Sequence, residues 1–252
     1  MISVVLIGYG NVASHLLRAF SKSDAVTVKQ VYNRTKISAQ ALASVDFTTD
    51  IHQLVEADCY ILCVSDDAIP SVSEQFVFKN RLVVHSSGAV SMEKLSNRNR
   101  KGVFYPLQTF SKDKRVDFKS IPLCIEAADR ADLQLLQRLA NSISEEVYEI
   151  SSEAREKLHV AAVFVNNFVN YLYGLGKEIL DENNLPFALL KPLINETAHK
   201  LTALDPLEAQ TGPAKRNDQK TIRKHLELLD NPEHKEIYKL LTQAIQNQHR
   251  NT

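Results

Sequence analysis

The run Gly8-Tyr9-Gly10-Asn11-Val12-Ala13 has the chemistry of an anion cradle. Gly8 suits a tight turn, Gly10 lets backbone approach a pyrophosphate, and the small Ala13 lets a helix pack closely on the strand before it. Phosphates would then lie at the positive end of the helix, beside Tyr9, Asn11 and Val12. Further along, Val31-Tyr32-Asn33-Arg34-Thr35 stands where a dinucleotide's adenosine ribose is read. It offers no carboxylate for a ribose 2′-hydroxyl, whereas Arg34 presents a planar cationic fork to a phosphate. The expected cofactor is therefore NADP(H), with Asn33, Arg34 and Thr35 around the 2′-phosphate; the alternative is that Arg34 is a solvated loop arginine.

Ligands of open parallel sheets bind beyond the carboxyl ends of the strands, so two more strand ends are candidates. Val64 and Ser65 are expected to bring backbone near the nicotinamide ribose, and Asp66 and Asp67 to cap the following helix. Ser86, Ser87 and Gly88 make a polar turn at the expected nicotinamide position. His85, just before them, is either a proton donor or a hydrogen-bonded structural residue.

The elements that must position these residues read as alternating strands and helices up to residue 151. Strands are expected at Ser3–Ile7, Val26–Tyr32, Tyr60–Val64, Leu82–His85, Val103–Tyr105, Ile121–Ile125 and Glu146–Ile150, with helices over Ile37–Ala43 and Ala131–Ile143 among those between them. That alternation predicts a doubly wound parallel sheet covered on both faces. After Ser151 the strand signal stops, and helices are expected over Ser152–Glu182, Pro186–Leu204, Asp218–Leu229 and Pro232–Gln248. The domains are thus expected at 1–151 and 152–252. Leu158, Ala161, Ala162, Val163, Phe164, Val165 and Phe168 leave the long helix apolar nearly all round, which predicts burial on several sides and a homodimer packed through the helical half.

Composition narrows the function. The 252 residues are 44% hydrophobic, and thirty basic residues balance thirty acidic ones, so no net field favours nucleic acid or an anionic membrane. The apolar stretch Val160–Val165 is far shorter than the roughly 20 residues of a membrane span. The chain enters a strand almost at once after Met1, so a cytoplasmic location is expected. Cys59, Cys63 and Cys124 lack redox or zinc spacing and read as reduced core residues, and the eight histidines form no metal-ligand pattern, so no metal is expected.

These motifs, with His85-Ser86-Ser87-Gly88, Tyr105-Pro106-Leu107-Gln108-Thr109-Phe110, the block from Leu158 to Phe168 and Thr211-Gly212-Pro213-Ala214-Lys215-Arg216-Asn217-Asp218, cover nearly the whole chain. The sequence resembles a Rossmann-like family whose helical C-terminal half is the domain of unknown function DUF2520, related at fold level to pyrroline-5-carboxylate reductase and 6-phosphogluconate dehydrogenase. The resemblance implies an α/β Rossmann-type cofactor domain, a smaller all-α substrate and dimerisation domain, and an NADP-dependent oxidoreductase. Where the family often reads His-Pro-x-Gln-Thr-Phe, this chain has Tyr105 before Pro106.

Reduction of a C=O or C=N bond needs a proton donor beside the nicotinamide. His159, Asn166 and Asn170, at i, i+7 and i+11, fall within about 20° of one helix face on a 3.6-residue repeat, with Asn167 on the neighbouring face. By analogy with related β-hydroxyacid dehydrogenases, His159 would donate the proton and Asn166 or Asn167 would anchor the carbonyl; the alternative is polar residues satisfied inside a dimer interface. Arg216 could clamp a substrate carboxylate or phosphate, and Asp218 is expected to cap the next helix. The expected activity is hydride transfer to or from a small polar carbonyl, imine or hydroxy acid in an inter-domain cleft, and the alternative is a non-catalytic NADP(H)-binding or sensing protein.

Overall fold

In the strand Ile2–Ile7 (β1), Val4 and Leu6 pack into one apolar cluster and Val5 and Ile7 into another, all four fully out of water. A strand buried on both faces must be covered twice. The computed structural model, which describes residues 1–38, 42, 45–112 and 114–250, sets β1 inside a sheet with β2 (Val26–Tyr32), β3 (Asp46–Thr48), β4 (Cys59–Leu62), β5 (Leu82–His85), β6 (Arg100–Pro106), β7 (Leu123–Ala127) and β8 (Val147–Glu149). Among the described residues the order is β3-β2-β1-β4-β5-β6-β7-β8. Ile7 pairs with Tyr32 on one side and Leu62 on the other, Leu62 with His85, and His85 with Val103. The chain therefore leaves β1, β2, β4 and β5 at one level, which is where a ligand can meet all four ends.

Helices α1 (Asn11–Phe20) and α3 (Arg130–Asn141) cover one face through Leu16, Leu17, Phe20, Leu136, Leu139 and Ala140. Ile69 of α2 (Ile69–Glu74) covers the other, with Ile51, Phe76 and Leu95. Each leucine, isoleucine or phenylalanine among them taken fully from water contributes about 1.5–3 kcal/mol. Cys59 and Cys124 lie in the core, and Cys63 is partly buried against it, all three free thiols. Burial pushes the Cys63 thiol up to about 12 and the Cys124 thiol up to about 11.

The expectation of a wholly parallel sheet fails at one place. β6 and β7 pair antiparallel: among the described residues their connection holds a short 3-10 turn at Phe118–Ser120 and no crossover helix to carry the chain back. β3, a three-residue edge strand, was not anticipated, and the helix expected over Ile37–Ala43 runs onto residues outside those described.

The chain forms two compact units, Met1–Asn166 and Asn167–Thr252. The division falls beyond the strand-to-helix change at Ser151, since α4 (Ser152–Ala162) packs with the sheet. The helix continues as a π turn over Val163–Phe168 and then as α5 (Val169–Glu182). Hydrogen bonds from i to i+5 make the angular step per residue smaller than in an α-helix, so the single face expected for His159 and Asn166 does not follow. In the second unit α6 (Lys191–Lys200), α7 (Pro206–Ala209), α8 (Gln219–Leu228) and α9 (Pro232–Arg250) follow. The helix expected over Pro186–Leu204 is a 3-10 turn at Phe187–Leu190 leading into the shorter α6.

What fixes α4 to the sheet is a buried charge. The Arg155 side chain is fully buried, and its guanidinium lies 2.7 Å from Glu126 Oε2 on β7. It also donates to the Val90 carbonyl and, at 3.2 Å, to Ser152 Oγ, while its Nε has no partner among the described residues. Ser152 donates from its amide and hydroxyl to both Glu126 oxygens, at 2.9 and 2.7 Å, and its hydroxyl accepts from the Met92 amide. Removing one partner of such a pair leaves the other charge buried and uncompensated. Arg155→Ala is expected to destabilise the chain by about 3–5 kcal/mol in urea unfolding, and an effect under about 1 kcal/mol would contradict this account.

Candidate active site

At the end of β1 the chain turns where nothing but glycine fits. Gly8 has φ +89°, and a Cβ there would stand 2.6 Å from the Cys63 carbonyl oxygen and 3.0 Å from Val64 Cγ1. Its amide donates to the Tyr32 carbonyl at 2.8 Å, and the Cys63 amide donates to the Ile7 carbonyl at 2.7 Å. The turn is thereby bound to both neighbouring strands at the point where strand order reverses. Gly10 then caps α1 with no side-chain cap, no acidic residue occupies the first turn, and a Cβ on Gly10 would meet nothing within 4 Å. The positive end of α1 is thus open to an anion, and fully buried Ala13 gives the close helix–strand packing the turn requires. These residues fit a dinucleotide pyrophosphate.

Asn33 connects this turn to the end of β2. Its Oδ1 accepts from the Tyr9 amide at 3.1 Å, and its Nδ2 donates to the Thr35 carbonyl and hydroxyl at 2.9 and 3.1 Å. Asn33 therefore holds two loops together, with its amide engaged inside the protein. Arg34 and Thr35 are exposed, and Arg34 makes no hydrogen bond or ion pair among the described residues. Exposed Asn11 reaches from the head of α1 to the Phe110 carbonyl at 2.9 Å, and Val12 is half-buried.

Beyond β4, Val64 is half-buried and Ser65 exposed. Ser65 occupies the cap position of a 3-10 turn, and Asp66 and Asp67 lie within its first turn rather than at the cap, which corrects the role expected for them. Beyond β5, the Ser86 amide and hydroxyl both bond the Leu62 carbonyl, and Ser87 Oγ accepts from the amides of Ala89 and Val90 at 3.1 Å each. Both serine hydroxyls are committed to shaping the turn, so what they present outward is backbone.

Over this turn the first unit brings together two residues 54 positions apart. Tyr105, near the carboxyl end of β6, sets its hydroxyl 3.3 Å from Nδ1 of His159 on α4, with the rings edge-on. Both side chains are half-buried. Burial pushes the Tyr105 phenol above its ordinary range, with Cys124 adding to the rise and Arg155 opposing it. The sequence singles out His159 but does not reveal Tyr105 as its partner. The available signal was Gly88, a glycine with no left-handed φ, so that its smallness serves space alone. Lys157 is exposed and pairs with Glu153 at 2.7 Å, away from this site. Asn166 and Asn167 are exposed in the π turn, on either side of the division between units. Arg216 is exposed on a loop of the second unit, where Asp218 caps α8 by accepting from the Thr221 amide.

Among the described residues, no group of three or more His, Cys, Asp or Glu is placed to hold a metal ion, and no helix is long and apolar enough to cross a membrane.

Two family models match the chain: an NADP oxidoreductase, coenzyme F420-dependent, over residues 3–87, and the domain of unknown function DUF2520 over residues 121–245. A candidate NADP oxidoreductase of Bacteroides fragilis is 40% identical, with 98% of each chain covered and a TM-score of 0.87. A Thermotoga maritima protein is 23% identical over 96% of this chain and 99% of its own, with a TM-score of 0.76. A pyrroline carboxylate reductase of Plasmodium falciparum with NADP bound is 13% identical over 99% and 97% of the two chains, with a TM-score of 0.59. The comparison with curated proteins returned no match.

His85 lies beneath the site and is structural. It is fully buried, its Nδ1 accepts from the Ser87 amide at 3.2 Å, and its Nε2 has no hydrogen-bond partner among the described residues. Burial, aided by Arg155, lowers its pKa from 6.5 to about 4. Between those values the unfolded chain binds the extra proton and the folded chain does not, so stability rises with pH across the window and is lost as pH falls through it. Thermal midpoints recorded from pH 4 to 7 are expected to fall more steeply on the acid side in wild type than in His85→Gln; parallel curves would contradict a neutral His85.

Proposed function

From the premise that the chain belongs to the NADP oxidoreductase family in which a coenzyme-binding region precedes a DUF2520 domain, we propose that it transfers a hydride between NADP(H) and a small polar carbonyl, imine or hydroxy acid. The observation that carries this reading is an ionisable pair, Tyr105 and His159, at the strand end beside those bearing the cofactor signatures. NADP(H) supplies the hydride when bound, and the protein supplies position and a proton.

In this reading Gly8, Tyr9, Gly10, Asn11 and Val12 hold the pyrophosphate at the head of α1. Arg34 and Thr35 take the 2′-phosphate while Asn33 keeps their loop joined to the glycine turn. The backbone of Val64, Ser65, Ser86 and Ser87 borders the nicotinamide end. His159 and Tyr105 stand where a proton must reach the substrate heteroatom. Asn166 or Asn167 is a candidate to orient the carbonyl, and Arg216 a candidate to clamp a substrate carboxylate or phosphate.

We also propose a homodimer through the helical half. Within residues 167–252 only Leu175, Ala214 and Ile222 are buried apolar residues among those described, whereas Leu189, Leu193, Leu228 and Leu240 are each more than 60% exposed. Phe164 and Val165 in the π turn are 62% and 75% exposed. So much uncovered apolar surface marks an interaction site, and a unit this small gains a core by pairing.

Loss of one charge-assisted phosphate contact is worth about 1.5–3 kcal/mol. Arg34→Ala is accordingly expected to weaken NADPH binding by about 10–100-fold in a fluorescence titration and to leave NADH nearly unchanged. Equal NADPH affinity in the two proteins would refute the phosphate assignment. A panel of keto acids, aldehydes and cyclic imines that elicits no NADPH oxidation would turn the reading to a non-catalytic NADP(H)-binding protein. In sedimentation at micromolar concentration wild type is expected to run as a dimer and Val165→Asp as a weakened one; a wild-type monomer would sink the dimer.

A further inference from the structure

Resting on the oxidoreductase reading, we propose that Tyr105 is the group that gives the substrate its proton, and that His159 is the relay that sets the phenol's orientation and refills it. His159 alone would be the simpler donor, and it has no need of a phenol 3.3 Å from its Nδ1. The local structure, however, is built around the pair. A Cβ on Gly88 would lie 2.6 Å from His159 Nδ1, 2.8 Å from Tyr105 Cζ and 2.9 Å from the Tyr105 hydroxyl. Gly88 has no backbone conformation that demands glycine, so a hydrogen there instead of a methyl serves to let both side chains close over the turn. Arg155 is one helical turn before His159 on the same face of α4, and its pairing with Glu126 anchors that turn of the helix to β7.

The pair has two states. With a neutral imidazole that carries its hydrogen on Nε2, the phenol's only hydrogen is donated to Nδ1 and is turned away from a substrate. With a protonated imidazole, Nδ1–H donates to the Tyr105 oxygen, and the phenolic hydrogen is free to point outward. As hydride reaches the substrate carbon, the C=O or C=N pair moves onto the heteroatom, which takes the proton from Tyr105. The phenolate takes the Nδ1 proton of His159, which leaves a neutral imidazole still carrying Nε2–H, and Nδ1 is reprotonated by hydronium or buffer acid when the product leaves. The reverse sequence serves oxidation of a hydroxy acid. The groups that face the phenol from the packed elements are His159 and Arg155 on α4, Cys124 on β7 and Asp66 beyond β4. Cys124 stays neutral because burial pushes its thiol up to about 11.

The test begins without substrate. In the full chain saturated with NADP+, the His159 ring is followed by NMR across pH. Tyr105→Phe and Gly88→Ala are each expected to move its titration midpoint by several tenths of a pH unit; an unmoved midpoint in both overturns the coupling. NADPH oxidation is then followed with whichever of glyoxylate, pyruvate or pyrroline wild type turns over fastest. Tyr105→Phe should lower kcat by about 100-fold or more while NADPH affinity stays within twofold. His159→Gln should lower it less and remove the alkaline fall in the pH profile. Tyr105→Phe retaining kcat while His159→Gln loses it overturns the proposal and makes His159 the donor. No turnover by wild type overturns the oxidoreductase reading itself, a failure distinct from both.

Discussion

A guanidinium taken wholly out of water has to be matched inside the protein, and Arg155 meets that requirement through Glu126. The consequence reaches beyond the pair. β7 contributes the carboxylate, the segment after β5 contributes the Val90 carbonyl, and the Ser152 hydroxyl closes the ring, so three separate parts of the chain are fastened around one charge. The strand end near Ser86, the helix bearing His159 and the antiparallel strand beside Tyr105 are thereby held in mutual register. Moving any of them breaks a charged hydrogen bond at the centre. The division of the chain follows from the same interaction, since it draws the first turns of a helical segment into the unit that contains the sheet.

Some of this was legible in the residues alone because it is imposed locally. Gly8 needs φ +89° and room beside Cys63, and both needs appear as a glycine at a fixed distance after an apolar strand. The strand Leu82–His85 coincides with its apolar run because burial on both faces admits little else. Other features depend on what lies far away. The reversal of β7 goes with a long connection that holds no crossover helix among the described residues, which strand composition does not register. The pairing of Tyr105 with His159 spans 54 residues and has no periodicity. The π turn is invisible for another reason: Val163, Phe164 and Val165 satisfy several spacings at once, and an i to i+5 bond leaves no mark in such a run.

Three residues were read for their side chains and act differently in the folded chain. Ser86, Ser87 and Asn33 spend their polar atoms on neighbouring backbone. A polar loop next to a phosphate site suggests ligands, yet the loop must first hold its own shape without regular secondary structure, and short polar side chains do that work. The outward-facing donors are then main-chain amides, which no residue type advertises. Arg34 is the exception, being exposed and without an internal partner among the described residues.

The bonding of Asn33 also bears on how cofactor choice can change over descent. The common route from NADP to NAD places an acid at the end of the second strand. Here an aspartate at that position would keep the acceptor for Tyr9 but lose both donors to Thr35, and it would set a carboxylate against the Thr35 carbonyl. The substitution that would create the new specificity would loosen the loop meant to display it. A lineage carrying this arrangement must first reshape the segment around Thr35, so its nucleotide preference is guarded by epistasis rather than by the strength of any one contact.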